Sequence, residues 1–252
     1  GEAGGHPVRV VCVKKAVISD NSITGGYHDQ LKLHADDAGC PSSESLFFVV
    51  SDNIFDNTKS GFSVNLATQS NVNVEMIRDG ILERNFLKFT GANAAQGYML
   101  VGTRLAARNN IVNLTGGQDD APGFVVEYYG TGNNPVDTQV YNNTCFRSDA
   151  KPSTCVLVYV GAGSVTNTTI RNNLLYAPAA GTDTVVTCAG TNCVESNNLT
   201  ETADPFVDAT PTAAADFMLT SPNADVIGAG TSVPVLTDFG VKKIIPDQTT
   251  LA

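Results

Sequence analysis

Apolar and polar residues alternate along this chain in short runs. Leu31-Lys32-Leu33-His34-Ala35 is one such run, and a second apolar run, Leu46-Phe47-Phe48-Val49-Val50, ends on the turn Ser51-Asp52-Asn53-Ile54-Phe55. A period of two predicts strands with one face inward and one outward. The turn returns as apolar–x–x–Asn–x–apolar around Asn21, Asn53, Asn85, Asn110, Asn143, Asn173 and Asn197, at spacings of 32, 32, 25, 33, 30 and 24 residues. Upstream of each lies a partner strand: Val8–Cys12, Leu31–Ala35, Phe62–Leu66, Tyr98–Gly102, Phe124–Tyr128, Cys155–Tyr159 and Thr184–Cys188. Unequal spacing argues against helical repeats of fixed length. It fits a solenoid whose coils share strands and differ in loops. Val74–Leu87 alone has the spacing of an amphipathic helix, but it contains the Asn85 turn and belongs to a coil.

Stacking like strands from successive coils predicts an all-β parallel β-helix of about seven coils. It forms a single domain over 1–252, with coils across about 7–208 and a C-terminal tail over 209–252. The recurring Asn is expected to take the left-handed conformation at its turn and to bond its equivalent in the next coil.

Composition narrows the function. Hydrophobic residues make up 42%, enough for a core, while a net charge of −10 argues against nucleic acid or anionic membrane as partner. No apolar run is long enough to insert in a membrane, and no charged-then-apolar leader is present. The six cysteines lack C-x-x-C spacing and stand apart from the three histidines, which argues against a zinc site. Their even number fits an exported protein with disulfides, with buried free thiols as the alternative. Cys188 and Cys193 could close a small loop, and Cys145 and Cys155 flank another.

The Asn-turn copies, among them Thr169–Tyr176 (TIRNNLLY) and Val17–Ile23 (VISDNSI), resemble the pectate-lyase-like superfamily of right-handed parallel β-helix proteins over roughly Val8–Leu199. Leu219–Gly230 also resembles the closing segment of secreted bacterial members, where the chain runs back along the solenoid. The resemblance implies a secreted or cell-surface protein acting on polysaccharide. Lyases, hydrolases, esterases, phage tailspikes and adhesins all use this fold, so it does not select one activity. The chain opens almost directly on a strand, without the amphipathic capping helix of many members. The expectation is therefore a fragment of a longer protein, or a covering domain or second chain on the N-terminal coil.

With Leu31, Leu33, Phe62, Val64, Phe124 and Val126 inward, the outward residues are Arg9 and Val11, Lys32 and His34, Ser63 and Asn65, Met99 and Val101, Val125 and Glu127, Val156 and Val158. Arg9, Lys32, His34, Ser63 and Asn65 then make a polar, cationic strip. At about 4.8 Å per coil it is ~10 Å long, close to two sugar units. Solvated surface is the bland reading of each residue; an acidic polysaccharide is the ligand a contiguous strip suits. Glu2, His6, His28 and Asp29 could fold over it.

A uronate lyase working by β-elimination needs a base, a group to neutralise the carboxylate, and an acid for the leaving oxygen. By role alone, Lys32 or His34 is the base, Arg9 the neutraliser, and Tyr129 or His34 the acid. Ser63, Asn65, Glu127 and Tyr129 are substrate-binding candidates. No catalytic motif of the superfamily matches residue by residue. Asp36-Asp37 could assist a Ca²⁺ ion, and no other cofactor or metal is expected. The Asn-Thr-Asp and Arg-Ile-Lys motifs of polygalacturonase-like hydrolases are absent. An esterase built on Ser63 and His34 lacks a nucleophile motif. A non-catalytic carbohydrate-binding, adhesin or structural module is the competing reading.

Overall fold

The computed structural model describes residues 5–25, 28–34, 47–58, 61–66, 77–128, 134–178, 183–203, 205–206, 208, 213–219, 226 and 229–231, without the side chains of 61–63 and 65–66. Three parallel sheets of seven strands each wrap into a β-solenoid. The first sheet stacks Val8–Val10, Leu31–Leu33, Gly61–Leu66, Ala94–Leu100, Pro122–Glu127, Thr154–Tyr159 and Thr184–Cys188. The second stacks Lys15–Ser19, Phe47–Ser51, Ile81–Glu83, Ala106–Arg108, Gln139–Tyr141, Thr169–Arg171 and Val194–Ser196. The third stacks Ser22–Thr24, Ile54–Asn57, Phe86–Phe89, Ile111–Asn113, Thr144–Phe146, Leu174–Tyr176 and Leu199–Glu201. The Asn turn therefore does not end a coil. It is the corner that joins the second sheet to the third.

That corner corrects two expectations. The left-handed residue is the one before the anchor: Asp20, Asp52, Arg84, Asn109, Asn142, Asn172 and Asn197 have φ between 51° and 59°. The stacked anchors are Asn21, Asn53, Asn85, Asn110, Asn143, Asn173 and Asn198, so the last is Asn198 and not Asn197. From Asn53 onward each anchor Oδ1 accepts from both the backbone N–H and the Nδ2 of the anchor one coil earlier, at 2.9–3.1 Å. An exposed left-handed site tolerates several residue types; a buried amide that must donate and accept at once selects Asn.

The core runs down the axis. Leu31, Leu33, Val50, Phe55, Val64, Leu82, Tyr98, Leu100, Phe124, Val126 and Ile170 are fully buried in it. Val156 and Val158 belong here too, in register with Phe124 and Val126, and this overturns their outward assignment. Val156, not Cys155, is the register partner of Phe124, so the alternation runs one residue later than expected and Leu157 and Tyr159 face out instead. Two disulfides reinforce the stack. Cys145–Cys155 links a third-sheet strand to the next first-sheet strand, and Cys188–Cys193 closes the corner after the last first-sheet strand. Cys12 is disulfide-bonded as well.

The described part of the tail covers the outward face of the third sheet. Phe206 and Phe217 pack 5.2 Å apart between ring centroids and close on Phe86, Phe146, Leu174 and Tyr176. Further along, Asn197 Nδ2 donates to the Ala229 carbonyl at 2.8 Å, and Asn172 exchanges two hydrogen bonds with the Thr231 backbone. These two left-handed asparagines thus hold the returning chain.

Candidate functional site

Strand register fixes the outward column of the first sheet. Reading from the N-terminal end it is Arg9, Lys32, Asn65, Met99, Val125, Leu157 and Thr187. Arg9, Lys32 and Asn65 thus occupy neighbouring positions, and the column is apolar from Met99 to Leu157 before ending on Thr187. Met99 and Val101, expected on the open surface, are fully buried. His34 departs from the expectation as well. It follows the strand end, its N–H donates to the Val10 carbonyl at 3.0 Å, and its side chain is buried at 1% exposure. It does not join Lys32 on the open face. The side chains of Ser63 and Asn65, and all of Glu2, Asp36, Asp37 and Tyr129, lie outside the described residues.

Two segments that flank the column bring in the other groups. His6 precedes the first strand, and His28-Asp29 precedes the second. Their imidazole rings lie 5.9 Å apart, tilted by 39°. His6 Nδ1 accepts from the Asp29 N–H at 3.3 Å and lies 3.2 Å from Asp29 Oδ2. Accepting that N–H requires an unprotonated Nδ1, and the local field agrees. Burial pushes the His6 pKa down, followed by the charge of Lys32. On protonation the same nitrogen would become a donor to the carboxylate beside it.

Lys32 is shifted as well. Half-buried, its ammonium is pushed below the usual lysine range first by burial and then by Arg9, while the buried Asp29 opposes both. The cluster of His6, Arg9, His28, Asp29 and Lys32 thus holds two histidines, two basic side chains and one carboxylate. It offers an anion a charged contact and a partly desolvated amine near a proton acceptor.

Glu127 is elsewhere. It sits three strands beyond Lys32 on the same sheet, roughly 14 Å away at ordinary strand spacing. Burial raises its pKa, and its register partner is the exposed Tyr159. The chain does not bring Glu127 to the basic cluster.

Sequence reasoning overlooked a second charged group. On the outward side of the second sheet, Glu83 and Arg108 are both buried and joined by contacts of 2.6 and 2.7 Å. Arg108 Nη1 donates to Tyr141 Oη at 3.3 Å, and Arg84 Nη1 reaches the other Glu83 oxygen at 2.7 Å. The signal was available. Glu83, Arg108 and Tyr141 each stand two residues before an anchor Asn, so aligning the turns aligns them. Cys188, Cys193 and Glu195 also converge, but the two sulfurs are bonded to each other and do not form a metal ligand set.

No family model, no curated protein and no solved structure matches this chain.

Proposed function

We propose that the N-terminal end of the first sheet binds an anionic, uronate-type polysaccharide outside the cell. The observation that carries the reading is the register pair Arg9 and Lys32, two basic side chains on adjacent strands of a protein with net charge −10. A local cationic strip on an acidic molecule concentrates carboxylated ligands while the surrounding field repels other anionic surfaces. Two disulfides fit an oxidising compartment, and the β-solenoid suits the polysaccharide-active superfamily that the turns resemble.

Cleavage by β-elimination is the further step. Lys32 would remove the proton alpha to the uronate carboxylate, and Arg9 would neutralise that carboxylate. The β C–O bond would break as the double bond forms, with water protonating the leaving oxygen. A depressed ammonium pKa favours the free amine that a base must be. The competing non-catalytic module draws support from His34. Its burial takes one of the three catalytic candidates away from any ligand on this face.

A panel of acidic polysaccharides tests both. Binding by calorimetry with new absorbance from unsaturated uronates supports the lyase, and binding without it supports the module. Lys32→Ala should weaken binding by roughly 10- to 100-fold, the worth of one charge-assisted hydrogen bond, with the melting temperature nearly unchanged. Leu157→Ala, four strands along the same outward column, should bind as wild type. Equal affinity for wild type and Lys32→Ala would remove the strip as the site.

A further inference from the structure

The two ends of the solenoid differ in what they turn inward. The first rung presents Val8, Val10, Ala16, Ile18 and Ile23 to the axis, all packed against the core. Residues equivalent to Ile18 along the second sheet are Val50, Leu82, Ala107, Val140, Ile170 and then Glu195. Those equivalent to Ile23 along the third are Phe55, Leu87, Val112, Cys145, Leu175 and then Thr200. Both apolar columns become polar only on the last rung. The Glu195 carboxylate reaches within 4.8 Å of the Cys188 and Cys193 sulfurs, which themselves pack on the core, so it stands at the mouth of the axis.

The inward columns of the first sheet would continue from the last rung of one molecule onto the first rung of another. Val186 and Cys188 would meet Val8 and Val10. Val194 would meet Val17, and these two are 46% and 65% exposed. The ladder matches as well: Asn198 would find in Asn21 the acceptor that each earlier anchor finds in the next. Thr200 would set an uncharged polar group against Ile23, whereas Glu195 would press a charge onto Ile18. Among the described residues no cation lies on the axis to meet a carboxylate buried there, and inward-pointing charge is a known means of blunting sheet edges.

We propose that the apolar N-terminal rung is a stacking surface for the C-terminal rung of a second copy, and that the inward carboxylate of Glu195 keeps this contact closed. Such a contact is heterologous: each molecule uses its tail end on its neighbour's head, so one opened lock gives chains rather than closed pairs.

The test is sedimentation of the purified full chain across micromolar concentrations. Wild type should show no head-to-tail association. Glu195→Val should associate at least about 100-fold more tightly, with species growing beyond dimer as concentration rises. Glu195→Gln, which removes the charge and keeps the shape, should fall between them. Adding Ile18→Glu at the opposite end of the Glu195→Val chain should restore the monomer. Circular dichroism and melting on each variant separate association from misfolding, and should Glu195→Val misfold, Glu195→Thr takes its place. A folded Glu195→Val that stays monomeric overturns the proposal. So does assembly that survives Ile18→Glu, or a wild type that already forms head-to-tail chains.

Discussion

At each corner between the second and third sheets, two adjacent residues stack along the solenoid in quite different ways. The inner ladder is Asn at all seven positions, from Asn21 to Asn198. The outer ladder, one residue earlier, holds Asp20, Asp52, Arg84, Asn109, Asn142, Asn172 and Asn197. Both sets look alike in sequence, since Asn-Asn pairs occupy four of the seven corners. The difference lies in what is demanded. The outer position needs only a tolerable left-handed backbone, for which Asn and Asp are favoured and even Arg is accepted when it pairs with the coil before. Arg84 does so with a fork of two 2.8 Å bonds to Asp52, and Arg104 repeats it with Asp79 at the corner between first and second sheets. The inner position must fill donors and acceptors that water cannot reach.

The comparison is broken most severely at the middle of the inner ladder. Asn110 Nδ2 donates to the Leu82 carbonyl and to Asn143 Oδ1, each at 3.0 Å, while its own Oδ1 takes the Asn85 N–H and Nδ2. Asn110→Leu keeps the volume and removes all four bonds. At least two buried backbone groups lose their partner, at ~1–3 kcal/mol each. The expected loss is therefore about 3 kcal/mol or more, read as a lower denaturation midpoint at unchanged slope.

Asn109→Leu should cost less. Asn109 has φ 54°, where a branched side chain is disfavoured by roughly 1–2 kcal/mol, but no buried partner depends on its amide. Asn109→Gly is the sharper control, because glycine accepts that backbone without strain. It should melt near wild type. Equal losses for Asn109→Leu and Asn110→Leu would mean that the two ladders are not functionally distinct.

How much of this was legible follows from the same contrast. The Asn turn is local, so spacing alone located the corner between the second and third sheets in each coil, the last to within one residue, and predicted parallel strands over most of the chain. At the last corner, Asn197 and Asn198 were both available, and only stacking on Asn173 distinguishes them. Which residue of Asn109-Asn110 is left-handed was not readable either, because both satisfy the residue preference for that region. Alternation oriented the strands as long as the phase held. It failed at Val156 and Val158, where the apolar pattern of Cys155–Tyr159 reads equally well either way and only pairing with Phe124 and Val126 fixes the phase. The adjacency of Arg9 and Lys32 was legible because each flanks an inward valine or leucine. The burial of His34 was not, since it depends on groups beyond the strand end.

The smallest effect belongs to the outer ladder's ion pair, and its sign can be worked out. The hydrogen bond from Arg84 is the chief cause that holds the Asp52 carboxyl below the usual carboxylate range, with burial opposing it. A folded pKa lower than the unfolded one means that the folded state favours the ionised form. The stabilisation is therefore fully present above the unfolded value, near ~3.9, and is lost as pH falls through the depressed folded value. Arg84 keeps its charge throughout, since the same contacts push its pKa further up. Both side chains are about 36% exposed, so screening by water and salt limits the pair to less than about 1 kcal/mol. Asp52→Asn preserves the left-handed turn and removes the charge. It should lower stability slightly at neutral pH, and the gap to wild type should close as the solution is acidified below about pH 4. High salt should close the same gap at neutral pH. If the gap instead widens on acidification, or persists unchanged in molar salt, Asp52 acts through its backbone corner and not through Arg84.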